Sequence, residues 1–170
     1  MKIEINGWTK YAFLDGVLLK VGSYHDFGWG YKTLDADFAK KYGFKKIKPD
    51  ICLNEINFLP IKDIAHTRGF ESNVFCKYKG YGCVVYSYNA CDNNLFCLAI
   101  PSGLALKLGY NWSQISHEIL VVNVPLSEID EIYRSRKKLG DFIFDVDPIK
   151  PIYKDGKWLI EPDENGVYII

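Results

Sequence analysis

Two Asp-Gly pairs, each set between strand-like runs, constrain this chain more than any other feature. Residues 11–14, Asp15-Gly16 and residues 17–21 make the first unit; residues 151–154, Asp155-Gly156 and residues 157–160 make the second. Asp-Gly supplies the positive φ that a type I′ turn needs at both central positions, so each unit predicts a tight antiparallel hairpin. A third hairpin is predicted where residues 74–79 meet 83–88 across Gly80-Tyr81-Gly82. It continues through the turn-rich residues 89–94 into a strand over 95–100. Aromatic and β-branched residues fill this meander, as a pleated surface favours. Further strands are expected at 3–5, 51–58, 119–124, 142–146 and 167–170.

Helix signals are fewer. Leu34, Phe38 and Tyr42 recur every four residues, with Thr33 or Asp35 to cap the start and Gly43 to stop the end. A second helix is predicted over 127–139, where Ser127, Glu128 and Asp130 open a stretch with Ile129, Ile132, Tyr133 and Leu139 at helical spacing. Arg136, Lys137 and Lys138 crowd its last turn, where cations complement the helix dipole, and Gly140 follows. A short helix is predicted over 112–117, with Asn111 and Gln114 as a capping pair. Residues 45–49 read as a surface connection. Many strands, few helices and no βαβ alternation predict one α+β domain over residues 1–170, built on a twisted antiparallel sheet.

Charge narrows the function classes. Lys and Arg number 21 and Asp and Glu 21, so the formal net charge is zero, and 48% of residues are hydrophobic. That balance excludes a disordered chain and argues against a nucleic-acid binder that works through a global positive field. The start, Met1-Lys2-Ile3-Glu4, does not read as a secretion signal, and no run is long and apolar enough for a membrane span. The five cysteines, Cys52, Cys76, Cys83, Cys91 and Cys97, are odd in number and lack the close-pair spacing of a zinc site. Reduced thiols in a cytoplasm are the expectation, with Cys76, Cys83 and Cys97 packed as small hydrophobes.

Three constellations carry chemistry. Asp141, Asp145 and Asp147 fall on one face of the strand predicted over 142–146, where paired carboxylates suit Mg²⁺ or Mn²⁺ in a metal-dependent nuclease; the structural alternative is an acidic, solvated sheet edge. His66 and Arg68 lie in a polar loop, the first a general base near neutral pH and the second a holder of phosphate or carboxylate; a plain polar turn is the alternative. The third is an exposed surface. Tyr78, Tyr81, Tyr86 and Tyr88 on the meander, with the basic run Arg134, Arg136, Lys137 and Lys138, offer aromatic anchors and cations of the kind that dominate protein interfaces, or a stacking platform for RNA. Tyr86 and Tyr88 are expected on one strand face with Val84.

The stretch Asp26-Phe27-Gly28-Trp29-Gly30-Tyr31-Lys32-Thr33, leading into the first helix, resembles the Asp-Phe-Gly-x-Gly-Phe-Tyr-x-Thr segment of bacterial proteins related to ADP-ribosyltransferases. The resemblance implies that Tyr31 stacks on a nicotinamide ring and that His25 contacts a ribose. The stretch is one residue shorter between Gly30 and Thr33, no Tyr-His-Gly motif precedes it, and no catalytic Glu is matched.

These observations lead to a small cytoplasmic protein-binding module, such as an inhibitor or immunity-type protein of a phage or mobile element, that works by occupying a partner protein. No cofactor is expected under that reading, and no membrane. The alternative is an enzyme acting on RNA or nucleotides, through the acidic strand with Mg²⁺ or Mn²⁺ or through the segment from His25 to Thr33, with RNA or a ribonucleoprotein as partner.

Overall fold

The reversals read from the sequence govern the order of the strands. The computed structural model describes residues 2–49, 52, 54–89 and 94–170. In it Asp15 and Gly16 take φ of 48° and 80°, and Asp155 and Gly156 take 50° and 77°. Strands β1 (Lys2–Glu4), β2 (Thr9–Leu14), β3 (Val17–Tyr24) and β4 (Gly28–Thr33) precede helix α1 (Ala36–Tyr42). Strands β5 (Lys45–Ile47), β6 (Ile56–Pro60), β7 (Gly69–Tyr78), β8 (Tyr81–Asn89) and β9 (Leu95–Pro101) lead to helix α2 (Ser102–Lys107). Strands β10 (Ile119–Pro125), β11 (Ile129–Lys138), β12 (Ile149–Lys154), β13 (Lys157–Trp158) and β14 (Val167–Ile169) follow. The architecture is α+β, mostly antiparallel sheet with few helical residues. Among the described residues no helix is long and apolar enough to cross a membrane.

The chain divides into two compact units. Unit 1 comprises residues 1–8, 72–136 and 147–170; unit 2 comprises 9–71 and 137–146. In unit 2 the strands run in the order β2-β3-β4-β6-β5, every neighbour antiparallel. Helix α1 packs on β4 and β6. Asp35 caps it by accepting from the amides of Asp37 and Phe38, and Gly43, with φ of 71°, ends it, as the sequence predicts. Leu34 lies outside the helix and is 97% exposed, so the apolar stripe is shorter than expected. Ala12, Val21, Tyr31, Leu139 and Phe142 form the core of this unit. Gly30 lets the ring of Phe58 lie directly on the β4 backbone, in the space where a Cβ would stand.

In unit 1, β10-β9-β8-β7 pair in that order, β7 from Ser72 onward, and the ladder goes on through β11 and β12 to β13. Val74, Cys76, Val85, Phe96, Leu98, Ile100, Ile132 and Ile152 are buried in one cluster, to which α2 contributes Leu104 and Ala105. Each large side chain taken from water here contributes about 1.5–3 kcal/mol. The strands β1 and β14 pair in parallel, Lys2 opposite Val167, and set Ile170 into the same core.

Several expectations are corrected. Residues 129–138 are strand β11, not the helix predicted over 127–139; only Leu126–Glu128 turns, as a 3-10 segment. Ile129, Ile132 and Tyr133 suit either periodicity, and the ladder to β12, with Glu131 opposite Lys154 and Arg134 opposite Lys150, decides for the strand. Residues 142–146 form no strand beyond one parallel bridge between Ile143 and Arg68, because Gly140 (φ 48°) and the Phe142-to-Leu139 hydrogen bond hold the segment in a turn. The helix predicted over 112–117 is a 3-10 turn, Trp112–Gln114, and its Asn111–Gln114 capping box is present. The third hairpin turns at Lys79-Gly80, with Tyr81 and Gly82 already in β8. The predicted connection over 45–49 contains strand β5, and the glycine-rich segment before Thr33 is strand β4. Of the strand predicted over 51–58, Ile51 and Leu53 lie outside the described residues, as do Cys91 and residues 90–93 of the predicted turn; the observed strand is β6.

Candidate functional site

The loop before β7 folds on itself through its own short polar side chains. The Asp63 carboxylate accepts the His66 amide at 3.2 Å, and the Thr67 hydroxyl donates to the Asp63 carbonyl at 2.5 Å. His66 Nδ1 stands 2.9 Å from Asp63 Oδ2, which holds the Asp63 carboxyl below the usual carboxylate range. With the proton on Nδ1, the imidazole presents Nε2 outward as a base oriented by a carboxylate. Two residues on, Arg68 Nε lies 2.8 Å from Asp145 Oδ1 and 2.6 Å from Oδ2, and the guanidinium stacks 4.5 Å from the centroid of the Phe13 ring. Backbone bonds from Gly69 to Ile143 and from Ile143 to Thr67 tie the two segments together. These contacts place Arg68 in one position.

Tyr31, from β4, closes the same place. Its hydroxyl donates to the Phe13 carbonyl at 2.9 Å, and burial pushes the phenol above its ordinary range while a hydrogen bond with Thr67 pulls the other way. Phe13, Leu14, Asp15, Tyr31, Thr67, His66 and Arg68 together line a cleft of about 330 Å³ within unit 2. The cleft thus joins candidates from two separate sequence motifs, His66 and Arg68 from one and Tyr31 from the other. His25 is not among them: it sits at the β3–β4 turn, fully exposed, with Nδ1 3.1 Å from Asp26. Asp145, which the sequence offers as a metal ligand, serves as the anchor of Arg68.

The acidic trio is not assembled. Asp141, Asp145 and Asp147 are all exposed, but Asp145 is held by Arg68 in unit 2, while in unit 1 the charge of Asp147 acts on Arg136. Among the described residues no group of three or more His, Cys, Asp or Glu side chains is placed to hold a metal ion.

The tyrosines predicted as one surface have separate fates. Tyr78 is buried, its hydroxyl directed to Glu128. Tyr81 packs against the unit 1 core with Lys107 over its ring, 5.1 Å away. A β-bulge after Val85 shifts the register, Val85 facing Leu98 and Ser87 facing Cys97, so Tyr86 is the extra residue. Beyond it Tyr88 joins Cys83 and Val85 on the core side and packs on Phe96 at 4.9 Å, instead of sharing a face with Val84 and Tyr86. Tyr86 alone of the four is strongly exposed, at 50%. Arg134 and Arg136 are half-buried on β11, the first donating to Ser72 Oγ and to the Asn6 carbonyl, both at 3.2 Å. Lys137 and Lys138 are exposed.

One surface lies outside the candidate sites read from the sequence. Strand β10 ends the strand order of unit 1, pairs with β9 on one side, and among the described residues takes no strand on the other, where only a local bridge from Ser116 meets Ile119. None of its seven residues is charged, and Val121 is 53% exposed. The uncharged run was visible in the sequence; its place at a sheet edge was not. Comparison of the chain with protein-family models, with curated proteins and with solved structures gave no match in any of the three.

Proposed function

We propose that this chain is a cytoplasmic protein-binding module that receives an extended segment of its partner along β10, and acts, as an inhibitor or immunity-type protein does, by occupying that partner. The observation that carries the reading is an uncharged edge strand with an exposed valine, its middle residues lying between the Ser116 bridge at Ile119 and Pro125, which has no N–H. Edges of native sheets are ordinarily blunted by charges, bulges or cover, because a bare row of N–H and C=O groups is a template for another strand. Strand addition uses that row for affinity and the alternating side chains for specificity. Val121 is in register with Ala99 and Val84, on the face away from the core cluster. Tyr86, exposed on the neighbouring β8, supplies an aromatic anchor of the type common at interface centres.

The experiment compares proteins retained from the host lysate by the immobilised chain and by three folded variants. Val121→Lys is expected to abolish retention, Tyr86→Ala to weaken it by about 1 kcal/mol or more, and Arg68→Ala to leave it unchanged. Retention that survives Val121→Lys refutes the reading.

A second reading, an enzyme acting on RNA or nucleotides, is favoured by the convergence of Tyr31, His66 and Arg68 on one cleft. It predicts that NAD, a nucleotide, Mg²⁺ or Mn²⁺ at millimolar excess raises the melting temperature, since a ligand of the folded state alone stabilises it. The effect of an organic ligand is then lost in Arg68→Ala. No shift with any of the four excludes it.

A further inference from the structure

Strands β7 and β8 set two buried cysteines face to face. Cys76 is the register partner of Cys83, and both are almost fully buried in the unit 1 core. Antiparallel partners stand about 4.5–5.5 Å apart between Cα atoms, inside the span of about 4.4–6.8 Å that a disulfide bridges. Their Cβ atoms leave the same face of the hairpin, about 4.5–5.5 Å apart for directly opposed residues, so bridging them takes side-chain rotation and an approach of the strands by about 1 Å. The other described cysteines lack such a partner. Cys97 faces Ser87 on one side and Asn123 on the other, and Cys52 neighbours the Tyr24 hydroxyl.

We propose that Cys76 and Cys83 are an oxidation site, a dithiol that hydrogen peroxide converts to a cross-strand disulfide. The Cys83 thiol donates to the Tyr81 carbonyl at 3.6 Å, and the adjacent Cys83 sulfur together with burial pushes the Cys76 thiol up. Cys83 reacts first in the proposed sequence, as its thiolate, which is the reacting form. Its sulfur attacks peroxide: an S–O bond forms, the O–O bond breaks, and the departing hydroxide takes a proton to become water. Cys76 then loses its proton and displaces the hydroxyl of the Cys83 sulfenic acid, forming S–S, breaking S–O and releasing a second water. Two thiols lose two electrons in all, and peroxide accepts them. The hairpin beyond the pair ends at the tight turn Lys79-Gly80, so access to the sulfurs comes through opening of that end. The disulfide then fastens the hairpin shut, and a thiol reductant restores it. This inference is independent of the strand-docking reading.

The test treats the reduced full chain with hydrogen peroxide, blocks remaining thiols with N-ethylmaleimide, and digests without reduction. Cleavage after Lys77 and Lys79 separates the two cysteines in sequence, so a disulfide appears as two joined peptides. The expected result is a joined pair carrying Cys76 and Cys83, loss of two of the five alkylatable thiols, and reversal by dithiothreitol. Cys97→Ala is expected to keep the joined pair and Cys83→Ala to lose it. The wild-type result stands even if Cys83→Ala folds poorly. Five alkylated thiols after peroxide, oxidation of either cysteine to sulfinic acid without a joined pair, or a disulfide from Cys76 to a cysteine other than Cys83 overturns the proposal.

Discussion

Packing beside the unit 2 cleft is close at Gly69, next to Arg68, and the substitution Gly69→Ala measures it. A Cβ on Gly69 would stand 2.6 Å from Phe142 Cδ1 and 2.9 Å from the Tyr11 carbonyl oxygen. Neither neighbour yields freely. The Phe142 ring is buried and meets Trp29 edge-on at 5.3 Å, the Tyr11 oxygen belongs to the backbone of β2, and the Gly69 amide is itself bonded to the Ile143 carbonyl at 2.9 Å. Forcing a methyl into a filled core costs about 1–3 kcal/mol. The alanine also narrows the unfolded ensemble, which offsets about 0.4–1 kcal/mol of that. A net loss of about 1–2 kcal/mol follows, and for a chain of this length each kcal/mol lowers Tm by about 2–4 °C. Urea unfolding followed by near-ultraviolet circular dichroism, with calorimetry beside it, gives both quantities. Gly103→Ala is the control: it lies in α2 with no heavy atom within 4 Å of the added Cβ. There the same chemical change is expected to stabilise by about 0.5–1 kcal/mol. A Gly69→Ala protein as stable as the parent, or one that moves in the same direction as Gly103→Ala, refutes the packing argument.

Two further outcomes are expected. Tyr88→Ala, which removes a ring packed on Phe96, lowers the urea midpoint clearly, whereas Tyr86→Ala leaves it within about 0.5 kcal/mol of the parent; equal losses would mean that the bulge does not separate the two rings. Asp163 is held below its ordinary pKa, first by the Val167 amide and also by Asn165. A depressed folded-state pKa gives stability that is present above the unfolded value, about 3.9, and is lost as pH falls through the folded value. Asp163→Asn is therefore expected to be less stable than the parent at pH 6, with the gap closing in acid; a gap that is constant with pH refutes the assignment.

The parts of this fold that were legible in the sequence are those decided within a few residues. The Asp-Gly turns announce themselves because few residues other than glycine and asparagine or aspartate tolerate positive φ, and Asp35 and Gly43 mark the ends of α1 for similarly local reasons. The segment from Ile129 to Lys138 was misread because its apolar spacing fits a helix, while the ladders that make it a strand come from residues far away in sequence. The same division runs through the candidate site. Asp63 and His66 are three residues apart, so their pairing lay within reach of a loop argument. Asp145 is 77 residues from Arg68, and the bond from Tyr31 to Phe13 spans 18. Nothing in the local sequence could report either. The bulge at Tyr86 was hidden for a related reason: alternation predicts a face only while the register holds.

The parallel pair β1–β14 has a consequence for how the chain is made. Ile170 is wholly buried, and its amide donates to the Glu4 carbonyl at 2.8 Å. As the ribosome delivers residues from the N-terminus, the unit 2 core has all its members once residue 146 has emerged, whereas unit 1 lacks Ile170 until translation passes that codon. Through that interval Ile3, which packs on the unit 1 core, stays without its parallel neighbour Tyr168. A ribosome stalled before codon 167 would therefore carry unit 1 with the β1–β14 seam still open.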